Sequence, residues 1–533
     1  MSPLRHHAGA LLCALAASAC WCATAGATPG NVHVTLDWSD CAAAPGFECA
    51  TAVLPRDYDS PKGRTLSIAV TRLPARDQKN KIGSLFVNYG GPGGDGVSTT
   101  QAVGADLFGA LNERFDIVGF DPRGVGDSEP SIDCHANQVR EGVYSQPFAT
   151  PENLDRDAFV AKVRGYINKC TTANADVLPY VSTANVARDM DLLREAVGDR
   201  KLTYLGFSYG TFLGATYESL FPNRHRALVL DGAVNPDAYI NRPEEYLREQ
   251  TSAFERELGR FLQACAGDKA ACPFGGADPW DAYDQMVDGA DANPLPNTLA
   301  PDRPVNGDDI RNGSLVILYN KGNWPFFAEA LDEAANGDAS LLRFLADISW
   351  GRNDDGTYAP GNDRYFTLSA AEQRYPFSNL GHYLATGAHS WSMFDHFWIN
   401  SGYFEYNFGL FPIHARDTFD GPFSAPRGGT PTLVVGTTYD PATPYRGARQ
   451  MVAQLGNARL LTMRGDGHTA YGGNSPCIDA AVDAYLEDLT VPAAGTSCRQ
   501  QVPFAAAQAR ASSRAARRPA LQYRGPGVKP LGR

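Results

Sequence analysis

Leu202-Thr203-Tyr204-Leu205 runs directly into Gly206-Phe207-Ser208-Tyr209-Gly210, and Thr211 to Phe221 continues with helical character. A short apolar run, a G-x-S-x-G turn and a helical stretch predict a strand, a sharp elbow and a helix in that order. A serine lifted on such an elbow presents its hydroxyl above a parallel sheet. The helix N-terminus and the Tyr209 N–H then face any negative charge that develops beside it. Ser208 is therefore the candidate nucleophile. With 53 glycines in 533 residues the pentapeptide arises by chance on the order of 0.3 times, so its surroundings must carry the assignment.

Apolar runs bounded by turn residues recur at Cys49 to Leu54, Leu66 to Leu73, Ser84 to Asn88, Phe115 to Phe120, Leu202 to Gly206, Ala227 to Leu230, Thr432 to Val435 and Ala458 to Met463. The later runs alternate with helical stretches such as Ala184 to Val197, whose Val186, Met190, Leu193 and Val197 share a face and which Ser182 or Thr183 can cap. The expectation is an α/β fold: a mostly parallel eight-stranded sheet with helices on both faces. Between the sixth and seventh runs lie residues 237–427, rich in aromatic residues and broken by Pro and Gly. That is too long for a loop and predicts an inserted cap domain. The chain thus divides into 1–27, core 28–236, cap 237–427, core 428–498 and a tail 499–533.

Residues 1–27 have a weakly basic start, an apolar Ala8 to Ala19 and small residues at Ala25-Gly26-Ala27, the pattern of a secretory signal peptide. Ser18-Ala19-Cys20 offers lipoprotein attachment as a minor alternative, and no later stretch is apolar enough to span a bilayer. Secretion or a periplasmic location follows. Beyond the signal segment eight cysteines remain, an even number suited to an exported disulfide protein. Neighbour pairing predicts 41 with 49, 134 with 170, 265 with 272 and 477 with 498, and no CxxC pair suggests a metal. The net charge of −12 conceals a more acidic body, because residues 499 to 533 carry eight Lys or Arg and no acid. An acidic body disfavours nucleic acid as a partner, and the Ala/Arg/Pro-rich tail reads as disordered.

A serine hydroxyl needs a base. Of ten histidines only His468, in Gly465-Asp466-Gly467-His468-Thr469, follows the last predicted strand in a turn-rich loop. Its acid partner is expected at the end of the preceding strand, where Asp440 stands in Thr438-Tyr439-Asp440-Pro441-Ala442-Thr443-Pro444. The order Ser208, Asp440, His468 is that of the strand–elbow–helix hydrolases; Asp466, two residues from the histidine, is the rival acid. After the third run, Asn88-Tyr89-Gly90-Gly91-Pro92-Gly93-Gly94 supplies a bare backbone. Because Pro92 has no N–H, Gly91 is the expected second oxyanion donor beside Tyr209, each donor being worth about 3 kcal/mol in the transition state.

Together with Phe47-Glu48-Cys49-Ala50, Asp121-Pro122-Arg123-Gly124-Val125-Gly126-Asp127-Ser128 and Leu230-Asp231-Gly232, these motifs resemble the α/β-hydrolase serine peptidases of the prolyl-iminopeptidase and secreted tripeptidyl-aminopeptidase family, over about Asp37 to Cys498. The resemblance implies hydrolysis of short peptides from free N-termini through an acyl-enzyme, without metal or cofactor. It also implies a structural role for Asp121 and Arg123. Asp95 stands where family members often carry serine, which bears on substrate preference. An aminopeptidase must hold a substrate ammonium, and Glu244, Glu245 and Glu249 at the start of the insertion are the expected carboxylates, although their interleaved arginines equally describe a solvated, charge-paired helix face. Trp391 to Trp398 reads either as an apolar peptide pocket or as cap core. Two other functions remain open: a carboxylesterase or lipase on the same triad, and a non-catalytic binding protein on the same fold.

Overall fold

The computed structural model describes residues 32–504 apart from 377–378, so the expected signal segment, 1–27, and all but 499–504 of the expected tail, 499–533, lie outside the described residues. One sheet of ten strands is formed by β1 (Ser39–Asp40), β2 (Glu48–Pro55), β3 (Thr65–Leu73), β4 (Gly83–Asn88), β5 (Phe115–Phe120), β6 (Leu202–Phe207), β7 (His225–Asp231), β8 (Thr432–Tyr439), β9 (Ala458–Asp466) and β10 (Ser497–Arg499). Their spatial order is β1-β2-β3-β5-β4-β6-β7-β8-β9-β10. The pairs from β1 to β5 that involve β3 or β1 are antiparallel, and every pair from β5 through β4 to β10 is parallel. All eight expected runs are strands. The two additions are edge strands of two and three residues, too short to show a period of two.

The parallel strands are buried on both faces, and their side chains alternate between two cores. Phe86, Val118, Tyr204, Leu228, Leu230 and Val434 enter one core; Leu85, Val87, Ile117, Leu205, Val229 and Val435 enter the other. The helix Thr183–Ala196 covers the first face, and Ser182 caps it by accepting from Asn185 N–H. The helix Pro476–Asp488 covers the second through Ile478, Val482 and Tyr485.

Between β7 and β8 the described residues form nine α-helices, the longest being Pro243–Gly267. This insertion has a core of its own around Phe254, Leu258, Phe261, Trp324, Phe327 and Leu345. A second part, including Phe366, Leu368, Phe404 and Phe408, is continuous with the core on the first face of the sheet. Phe397 and Trp398 are buried in the insertion, so the run Trp391 to Trp398 is largely packing. The disulfides are Cys41–Cys49, Cys134–Cys170, Cys265–Cys272 and Cys477–Cys498, the neighbour pairing expected from spacing. Among the described residues no helix is long and apolar enough to cross a membrane.

Candidate active site

β6 delivers Ser208 at φ 57° and ψ −124°, a conformation that costs a non-glycine residue about 1–3 kcal/mol. Close packing enforces it. Ser208 N–H donates to Asp231 O at 2.9 Å, and Thr211 donates to Ser208 O from both its amide, at 2.8 Å, and its hydroxyl, at 2.6 Å. The flanking glycines of the pentapeptide are required by space: a Cβ on Gly206 would lie 2.4 Å from Gly210 O, and one on Gly210 would lie 2.8 Å from Asn88 O.

The loop after β4 presses on this elbow. Gly90 has φ +94°, and a Cβ there would meet Phe207 O at 2.7 Å and Ser208 Cβ at 2.8 Å. Its amide is engaged by Asn88 Oδ1 at 3.0 Å. Gly91 is the next amide along, and Tyr209 opens the elbow helix Tyr209–Leu220. The Tyr209 ring is fixed by a 2.7 Å hydrogen bond between its hydroxyl and Thr183 Oγ1. Asp121 braces the same corner: its carboxylate accepts from Val97 N–H and Asp127 N–H, each at 2.8 Å. Burial pushes its pKa up to about 6. Arg123 acts farther back, gripping Asp189 at 2.7 and 2.5 Å. Asp95 pairs with Arg364 of the insertion at 2.5 Å.

β8 ends one residue before Asp440, and β9 ends two before His468. Both Asp440 oxygens lie 2.9 Å from His468 Nδ1. The carboxylate also accepts from Ala442 N–H at 2.9 Å, Thr443 N–H at 2.8 Å and Thr443 Oγ1–H at 3.0 Å. With both oxygens of the Asp440 carboxylate, an acceptor, 2.9 Å from Nδ1, the proton is assigned to Nδ1 and Nε2 is left as an acceptor. Nε2 is buried and has no hydrogen-bond partner among the described residues, which leaves it available for a serine proton. Thr443 Oγ1, 3.2 Å from Nδ1, touches both members of the pair. Sequence reasoning quoted its motif but gave it no role.

Asp466 is occupied elsewhere, by Arg260 Nε at 2.5 Å and Lys321 Nζ at 2.6 Å. Asp231 accepts the amides of Ala470 and Tyr471 at 2.8 to 3.0 Å, so the chain after the histidine is tied to β7.

The three glutamates of the insertion separate. Glu245 pairs with Arg242 and Glu249 with Arg446. Glu244 bonds His382 Nε2 at 2.7 Å and lies near Glu405, a residue that sequence reasoning did not single out. Burial first, then the Glu244 charge, pushes the Glu405 carboxyl up to about 8; its Oε2 accepts from Gly402 N–H at 3.2 Å, and among the described residues its buried Oε1 has no hydrogen-bond partner. From the elbow the Tyr209 and Tyr239 rings are 6.0 Å apart and those of Tyr239 and Tyr246 5.5 Å apart, and the Tyr246 hydroxyl donates to Ala442 O at 3.4 Å.

The TAP-like protein family profile matches residues 415–498, the stretch containing Asp440 and His468. The chain is 33% identical over 491 residues to serine protease Hip1 of Mycobacterium tuberculosis, spanning 87% of this chain and 91% of that protein. It is 32% identical over 509 residues to carboxylesterase B of Mycobacterium tuberculosis, spanning 89% and 92%. To the tripeptidyl aminopeptidase of Streptomyces lividans it is 29% identical over 483 residues, spanning 87% and 86%.

Proposed function

The chain belongs to the α/β-hydrolase serine peptidases of the prolyl-iminopeptidase and tripeptidyl-aminopeptidase family, and we propose that it works as an exported exopeptidase releasing short fragments from free peptide N-termini. The Asp440–His468 pair at 2.9 Å, in a chain whose elbow serine is held at φ 57°, supports the serine-hydrolase chemistry, and the likeness to a tripeptidyl aminopeptidase carries the exopeptidase reading. His468 Nε2 takes the Ser208 proton as Oγ attacks the scissile carbonyl, and the oxyanion is received by the Gly91 and Tyr209 amides. The imidazolium, stabilised by Asp440, then protonates the leaving amine. Water attacks the acyl-enzyme by the same route in reverse and frees the N-terminal fragment.

The substrate ammonium is assigned to Glu244 and Glu405. The unpartnered oxygen of Glu405 supports this, since an ammonium between two carboxyls supplies the missing donor and favours their ionisation. Glu245 and Glu249 serve as charge-paired neighbours. The likeness to a carboxylesterase favours one second reading, ester hydrolysis on the same triad, because the triad itself does not distinguish ester from amide.

Mass spectrometry of a peptide mixture, each peptide with free and with acetylated N-terminus, separates the two. The exopeptidase trims free amines only, and Ser208→Ala abolishes trimming; turnover of simple esters with no peptide cleavage would establish the esterase. Glu405→Gln is expected to raise KM for free-amine peptides while leaving ester turnover unchanged.

A further inference from the structure

Three consecutive residues around the base each receive a contact from the insertion in addition to those from the sheet side. Asp466 is gripped by Arg260 and Lys321. Gly467, at φ +87°, donates its amide to Glu257 Oε1 at 2.9 Å. His468 N–H donates to Tyr319 O at 2.7 Å, and the two rings meet edge to face at 5.3 Å.

Glu257 is the anomaly among these. It lies on the buried face of the helix Pro243–Gly267 beside Phe254, Leu258 and Phe261, with 0% exposure. Among the described residues its Oε2 has no hydrogen-bond partner, and Arg260 Nε stands off at 4.0 Å. A leucine would complete that apolar face, whereas a buried carboxyl with one unpaired oxygen destabilises it. Its single hydrogen bond falls on the residue preceding the base.

We infer that Glu257 is a positioning residue: from the insertion, its carboxyl fixes the Gly467 amide and thereby sets the approach of His468 Nε2 to Ser208. The inference rests on His468 being the base. Burial, reinforced by the Asp466 charge, holds the Glu257 carboxyl well above its ordinary range. Glutamine keeps an oxygen acceptor at the same reach and is the close mimic of this side chain toward the Gly467 amide.

The test measures kcat, KM and fluorophosphonate labelling rate for Glu257→Gln, Glu257→Leu and Glu257→Asp, with melting curves. Gln, which keeps an acceptor, is expected within 3-fold of wild type. Leu is expected to lower kcat and labelling 10- to 100-fold at nearly constant KM, with a melting temperature no lower than wild type. Wild-type kcat in the Leu variant, an equal loss in Gln and Leu, or a loss confined to KM would overturn the inference. Should Leu not fold, Asp decides: its shorter arm withdraws the acceptor and is expected to reproduce the kcat loss, and wild-type kcat would overturn. His468→Ala is the separate control, and activity surviving in it would bring down the triad assignment itself.

Discussion

Ser208 and His468, the proposed nucleophile and base, are fixed by different means. The serine is held within its own layer: β7 takes its amide, Thr211 takes its carbonyl, and the Gly90 backbone closes over it. The histidine is held between two bodies, with Asp440 and Thr443 on the sheet side and Tyr319, Glu257 and Arg260 on the insertion side. A nucleophile locked by steric exclusion tolerates no extra atom. A base suspended by hydrogen bonds tolerates graded loss. Perturbing the elbow should therefore be all or nothing, and perturbing the histidine loop should tune the rate.

Ser208→Ala tests the first half of this contrast most severely and is expected to lower turnover by about 10⁶-fold, with unchanged far-UV circular dichroism and no fluorophosphonate labelling. Gly90→Ala comes next. The added methyl must displace Phe207 O or Ser208 Cβ, and steady-state kinetics should show kcat lower by about 100-fold, the scale of one lost oxyanion donor; a mild effect would break the idea of steric locking. On the histidine side, Thr443→Val removes a hydroxyl from Asp440 while keeping shape, for a loss in kcat of about 10-fold. Combined with Gly90→Ala its effect should multiply independently if the two supports are separate.

The smallest effect concerns the far end of the elbow helix, where Glu218 accepts from Thr432 Oγ1–H at 2.8 Å. Burial raises its carboxyl from 4.5 to about 8 and lowers the neighbouring His225 to about 4, so this is a contact between neutral groups. At Glu218 the native state binds a proton that the unfolded state has released between about pH 4.5 and about 8, which lowers stability as pH rises. At His225 the unfolded state binds the extra proton between about pH 4 and 6.5, which opposes it, so the net decline runs from 6.5 to about 8. Glu218→Gln should flatten that decline in melting temperature between pH 6.5 and 8 while leaving kcat unchanged.

The parts of the molecule governed by local periodicity and by glycine were open to reading from the chain alone. The eight long strands, the elbow and the neighbour disulfides depend on residues close in sequence, and the positions of Asp440 and His468 follow from strand ends. The supports supplied across the insertion were not open in that way. Glu257 sits three residues before Arg260, a spacing that reads as a solvent-facing ion pair, yet Phe254, Leu258 and Phe261 turn its face inward. Glu405 belongs to a five-residue helix whose meaning lies only in its distance from Glu244. Tyr319 acts through its carbonyl oxygen, and a backbone atom leaves no mark in a sequence.

Among the described residues four disulfides join cysteines 8, 36, 7 and 21 residues apart, and each lies wholly inside or wholly outside the stretch between β7 and β8. Oxidation thus fastens each part of the molecule to itself. The seam between insertion and sheet, across which the base is held, is closed by hydrogen bonds, ion pairs and packing alone. Any force that lifts the insertion slackens the histidine without breaking a covalent bond, and its return restores the site without redox chemistry.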